Sequence, residues 1–188
     1  DTQGVTGSNP VTPTIYFIGL LYKITFVQMK RLLIILISLF CFNQNILANS
    51  LSIFGGSYDY DDDNTSNLIG LNYHLTQNDF NILNIMDINP VVGLFVTAKS
   101  ASMLYSGFET NLGGDDIFLN LSSSAGLYSN GDGKDLGNTL QFKSEINLFY
   151  SLSKTTRIGL GSHHISNAGI SSVNPGVNNY YLILNRDF

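Results

Sequence analysis

Apolar residues recur at every second position through long stretches of this chain, and that spacing commits it to β-strands with two unlike faces. Ile69, Leu71, Tyr73 and Leu75 alternate with Leu68, Gly70, Asn72 and His74. Ile117, Leu119, Leu121 and Ala125 alternate with Asn120, Ser122, Ser124 and Gly126. Leu140, Phe142, Ile146 and Leu148 alternate with Gln141, Lys143, Glu145 and Asn147. Turn-forming clusters separate the runs: Asp61-Asp62-Asp63-Asn64, Gly113-Gly114-Asp115-Asp116, Asn130-Gly131-Asp132-Gly133 and Asn174-Pro175-Gly176. The pattern predicts eight strands, over Leu51–Tyr58, Asn67–Thr76, Pro90–Ala98, Met103–Thr110, Ile117–Tyr128, Leu140–Ser151, Arg157–Ser166 and Tyr180–Phe188.

A soluble sandwich carries the same period, so alternation alone does not separate it from a membrane barrel. Composition and the leader do. Charged residues make up 12% of the chain, against about 25% in an ordinary soluble protein. Yet apart from one run near the start, no stretch reaches the roughly 20 apolar residues that a membrane helix needs. Residues 29–48 read as a signal peptide: basic Met29-Lys30-Arg31, an apolar core from Leu32 to Phe42, then Asn43 to Ala48. Cleavage is expected after Ala48, although Ile46 is larger than the usual residue three before the cut. Cys41 suggests a lipid-attachment site, but Phe40 before it is too large. Residues 1–28 read as upstream sequence or a fragment, and the barrel domain is expected over 49–188. That part contains no cysteine, so no disulfide forms.

An exported chain with one apolar and one polar face fits an eight-stranded antiparallel transmembrane β-barrel in the outer membrane of a Gram-negative cell. A barrel of this size fills its interior with side chains, so no wide pore is expected. Lys143 and Glu145 point inward and are expected to pair there with other polar groups. His163 points inward as well. His74 has no evident partner and reads as structural. With the first strand starting in the periplasm, the acidic run Asp59–Asp63 and the Asn130–Asn138 loop lie outside the cell. Asn130, Asp132 and Asp135 hint at calcium, but the closing Glu of a calcium loop is absent, and a Gly-rich turn is the better reading. No ligand cluster calls for a metal, and no cofactor is expected. Residues 49–188 carry six basic side chains against 13 acidic ones, which argues against nucleic acid as a partner. Phe188, with Leu184, Leu182 and Tyr180 on its face, resembles the signal read by the barrel-assembly machinery. Arg186 departs from the usual alternation there. A homo-oligomer is left open.

Residues 163–176 read His-His-Ile-Ser-Asn-Ala-Gly-Ile-Ser-Ser-Val-Asn-Pro-Gly. His164 and Ser166 are two apart on a strand, so both side chains leave one face, with Cα atoms about 7 Å apart. A modest bend brings an imidazole to a hydroxyl at that spacing, as a general base requires. Ile158, Leu160, Ser162, His164 and Ser166 share this face, which puts the pair on the lipid side near the rim. The stretch resembles the signature of the lipid A 3-O-deacylase (PagL) family, with His-x-Ser-Asn-Ala on the seventh strand and Asn-Pro-Gly before the last. The resemblance implies that Ser166 is the nucleophile and His164 its base. It also implies that Asn167, Gly169 and Asn174 support the oxyanion, and that the partner is lipid A of lipopolysaccharide in the outer leaflet.

One position departs from the family pattern. A Glu that orients the histidine stands in the family near the place of Asn178. Asn178 shares its parity with Leu182 and Leu184 and is expected to face His164 across the strand pair. Asn orients a histidine in Cys-His-Asn enzymes but cannot stabilise an imidazolium by charge. Glu145 lies on the other face and is a poor substitute. The alternative reading is therefore a non-catalytic small barrel with a degenerate triad, serving surface binding or envelope stability.

Overall fold

The computed structural model describes residues 49–62, 65–75, 81–82 and 86–188. The expected leader over 29–48 and the upstream residues 1–28 lie outside the described residues. Eight long strands form: β1 Asn49–Tyr58, β2 Ser66–Leu75, β3 Asn89–Thr97, β4 Ser102–Gly113, β5 Ile117–Ser129, β6 Leu140–Ser151, β7 Thr156–Ser166 and β8 Val177–Asp187. Each pairs antiparallel with the next, and β8 returns to pair with β1, closing the barrel. In lipid an unpaired sheet edge has no water to satisfy it, so closure is what lets this backbone cross a bilayer. A further two-residue ladder, Asn81–Ile82 with Met86–Asp87, lies between β2 and β3. The sequence pattern gave no sign of it.

The alternation resolves into an outer apolar face and a filled lumen. Leu127, Leu160 and Leu182 are 61%, 63% and 61% exposed, and Ile69, Leu104 and Phe108 also point outward. Inside, aromatic rings gather toward the loop end. Phe54, Phe95 and Tyr181 surround the His163 ring, at centroid distances of 6.2, 5.7 and 5.2 Å. Gly161 makes room for this arrangement, since a side chain there would collide with Tyr181 and Asn147. His163 is thus a packed interior residue, as its parity indicates.

Polar side chains fill the rest of the lumen, and a network of hydrogen bonds joins many of them. Asn147 is the hub: its Nδ2 donates to Glu145 Oε1 at 2.6 Å and to Asn120 Oδ1 at 3.1 Å. Its Oδ1 accepts from the Tyr181 hydroxyl at 2.9 Å. Glu145 also pairs with Lys143, whose ammonium lies 4.4 Å from the centre of the Tyr105 ring. His74 departs from its sequence reading as a residue without a partner. Its Nδ1 donates to Glu109 at 2.7 Å, and its Nε2 accepts from Ser52 Oγ at 2.8 Å. Glu109 sits on β4 and reaches His74 across the lumen, a contact that local spacing cannot reveal. The order Ser–His–Glu is that of a hydrolytic triad. However, Ser52 is fully buried and its oxygen is also held by Asn185 Nδ2 at 3.0 Å, so no acyl group reaches it.

At the other end, the loops between β1 and β2, β3 and β4, β5 and β6, and β7 and β8 are tied together. Lys134 bridges Asp59 at 3.2 Å and Asp62 at 2.7 Å. Asp132 N donates to Lys99 O at 2.9 Å, and Asn167 Nδ2 to Leu136 O at 2.8 Å. Burial raises the Asp59 carboxyl above the ordinary carboxylate range, against the pull of Lys134. Burial would lower the Lys134 ammonium, but its bonds to Asp62 and Asp59 outweigh that and raise it.

Two stability outcomes follow. Asn147→Leu removes the shared partner of Glu145, Asn120 and Tyr181, and is expected to cost about 2–3 kcal/mol. Urea unfolding in detergent, read by heat-modifiable mobility, measures this; an unchanged midpoint contradicts the hub. Lys134→Met leaves the Asp59 carboxylate buried without its countercharge, at about 1–3 kcal/mol near neutral pH. Asp59 binds its proton more tightly folded than unfolded, so its contribution is fully present below its unfolded pKa and is lost as pH rises through its raised folded pKa. The gap between Lys134→Met and the parent is therefore expected to narrow as pH falls toward 4, in the same unfolding assay.

Candidate active site

The site lies where β7 leaves the sheet. β7 alternates strictly here: His163 and Ile165 are buried in the lumen, His164 is exposed on the outer face, and Ser166 is half-buried at the strand end. The register sets Asn178 of β8 directly opposite His164. Their side chains meet on the outer face, with His164 Nδ1–H donating to Asn178 Oδ1 at 2.8 Å. The expectation that Asn178 faces the histidine is thus the observed geometry. Asn178 Nδ2 in turn donates to Asp61 Oδ2 at 3.1 Å. Asp61 lies on the β1–β2 loop and was not a sequence candidate. Only its place in an acidic run marked it, and nothing local indicated that this loop reaches β8.

The free edge of the imidazole is bounded by the Asn-Pro-Gly turn. Gly176 has φ of 65°, and a methyl group on it would stand 2.9 Å from His164 Cε1 and 3.3 Å from Nε2. Glycine here serves both the left-handed turn and the close approach of the ring.

The three residues expected to support an oxyanion form one small loop. Asn167 is fully buried. Its Nδ2 donates to Leu136 O at 2.8 Å and Val173 O at 2.7 Å, while its Oδ1 accepts from Gly169 N at 3.0 Å. Its own N–H donates to Asn174 Oδ1 at 2.9 Å. Asn167 and Gly169 therefore spend these donors on shaping the loop. Asn174 is exposed, with its side-chain oxygen engaged by this bond. Ala168 and Gly169, at φ of 53° and 80°, make the tight reversal after Ser166.

The surroundings are apolar and aromatic on the lipid side. Phe142 of β6 pairs with Ser166 and is 38% exposed. On the other flank the rings of Tyr60 and Tyr180 lie 4.5 Å apart, and Ile170 and Val173 project from the loop.

The chain and its fold have counterparts among known proteins. The family model described as lipid A 3-O-deacylase (PagL) matches residues 53–186. Among solved structures, the crystal structure of the outer membrane enzyme PagL is similar at a TM-score of 0.60 and 19% identity, covering 73% of this chain and 98% of that one. A de novo designed transmembrane β-barrel gives a TM-score of 0.54 at 10% identity, covering 77% and 98%. Neisserial surface protein A gives 0.52 at 7% identity, covering 74% and 97%. At these identities the structural likeness concerns the fold. No curated protein sequence matches the chain. The family match takes in every strand of the barrel and the whole of the site, and by it this chain belongs to the lipid A 3-O-deacylase (PagL) family of the Gram-negative outer membrane.

Proposed function

We propose that this chain is a serine esterase that removes the 3-O-linked acyl chain from lipid A. The observation that carries the reading is the His164–Asn178 hydrogen bond on the lipid-facing side of the barrel, two residues from Ser166. A hydrolytic pair in that position is useless to a soluble substrate. It is well placed for an ester in the outer leaflet, whose acyl chain finds apolar surface over Phe142 and Leu160. Family membership supports the same reaction.

In the first half-reaction Ser166 Oγ attacks the ester carbonyl carbon while its proton passes to His164 Nε2. The carbonyl oxygen takes the negative charge, with the exposed Asn174 amide as a donor and Asn167 and Gly169 holding the loop that carries it. Collapse breaks the bond to the sugar oxygen, and His164 returns the proton to that leaving oxygen. A water then attacks the acyl-Ser166 ester with His164 again as base, and the fatty acid departs. Asn178 holds the ring but supplies no charge to the imidazolium. In a serine triad an Asp-to-Asn change costs about four orders of magnitude. A slow enzyme is therefore expected beside a Glu-bearing relative. That same residue is what favours the second reading, a non-catalytic barrel.

Lipid A mass spectrometry of Gram-negative cells expressing residues 29–188 decides between them. The parent is expected to strip one 3-linked hydroxyacyl chain, Ser166→Ala to lower the rate by about 10^2-fold, since triad losses do not add, and Asn178→Glu to raise it by at least about tenfold. Unchanged lipid A with all three folded proteins would sink the esterase reading in favour of the inert barrel.

A further inference from the structure

Asp61 stands behind Asn178 on a loop hydrogen-bonded to β8. Tyr60 N donates to Asn178 O at 3.2 Å, and Asp59 N donates to Asn179 Oδ1 at 2.9 Å. The Tyr60 ring packs at a tilt of 58° against that of Tyr180. Lys134 takes the two carboxylates that flank Tyr60 and Asp61, those of Asp59 and Asp62. Asp61 has no part in that clamp and turns to Asn178 instead, accepting from Nδ2 at 3.1 Å.

We propose that Asp61 is a positioning residue for the esterase reaction, fixing the tautomer of His164 through the orientation of the Asn178 amide. The inference rests on the esterase reading for its meaning but not for its geometry. A carboxylate only accepts hydrogen bonds, so the nitrogen of Asn178 must face Asp61. The Asn178 oxygen then faces His164, 2.8 Å from Nδ1. An amide oxygen also only accepts, so Nδ1 carries the hydrogen and the lone pair of the neutral ring lies on Nε2. That is the atom a base must present to Ser166. Without Asp61 the Asn178 amide is free to turn over and donate into Nδ1. The ring hydrogen then moves to Nε2, where it blocks proton transfer from the serine. The wrong tautomer is the failure that an Asp-to-Asn change brings to a serine triad. Here a carboxylate one residue further out guards against it. The family's Glu needs no such guard, because both its oxygens accept.

The test uses the chain purified from outer membranes in detergent, with heat-modifiable mobility showing that each variant is folded. Nitrogen-15 NMR of histidine-labelled protein, assigned with His164→Gln, reads the ring tautomer. Lipid A deacylation reads the rate. The parent is expected to show Nδ1–H at His164. Asp61→Ala is expected to move it toward Nε2–H and to lower kcat by about ten- to hundredfold with KM little changed, the loss of a hydrogen bond to a charged group. Asp61→Glu is expected to restore part of the rate. In an Asn178→Glu background, Asp61→Ala is expected to cost nothing. An Nδ1–H tautomer retained in folded Asp61→Ala overturns the proposal, as does an unchanged kcat in a chain whose parent is active. Should no variant deacylate lipid A, the esterase reading fails, and the tautomer comparison alone still decides the role of Asp61.

Discussion

The β1–β8 seam is the interaction on which the rest of this structure depends. Eight residue pairs, from Ser50 with Asp187 to Ser57 with Tyr180, close the sheet on itself. A bilayer offers no water to an open edge, so an unclosed version of this sheet has no place in a membrane. Closure also forces the polar faces of all eight strands together. The lumen must then satisfy Glu109, Glu145, Lys143 and several Asn side chains internally, and it does so through shared partners rather than isolated pairs. Such a network is valuable when complete and costly when broken.

The strict period of two divides the labour of β7. His163 and His164 are adjacent in sequence and opposite in circumstance. One is enclosed by Phe54, Phe95 and Tyr181, and the other stands on the lipid side with a hydrogen bond to Asn178. A slip of one residue in the β7–β8 register would exchange them. The register is held by the apolar outer residues Ile158 and Leu160 of β7, which pair with Leu184 and Leu182 and would turn inward with such a slip. The position of the site is in this sense fixed by residues that take no part in it.

The barrel was legible in the sequence because its physics is local: each strand announces its two faces, and each turn announces its break. The strand ends were less so. β8 begins at Val177, not Tyr180, because Asn178 and Asn179 look like loop residues until their partners His163 and His164 are known. β4 runs on through Asn111 and Leu112 to Gly113, beyond the Thr110 that alternation indicated. Parity sufficed to set Asn178 opposite His164. It was silent on contacts that cross the lumen or join distant loops. Glu109 with His74 and Asp61 with Asn178 are separated by 35 and 117 residues, and no period links them. Of the acidic run, the sequence revealed the charge but not that Lys134 would claim Asp59 and Asp62 and leave Asp61 to β8.

The seam carries a consequence in time as well as in space. His164 and Ser166 share β7, but Asp61 belongs to the first connection of the barrel and Asn178 to its last strand. Contacts between such distant parts of a chain carry a high entropy cost and are late rewards of folding. A nascent chain still open at this edge holds His164 and Ser166 without the Asp61–Asn178 contact that completes their surroundings. The complete candidate site therefore assembles only with closure of the seam, and a chain in transit toward the membrane carries its residues without their final arrangement.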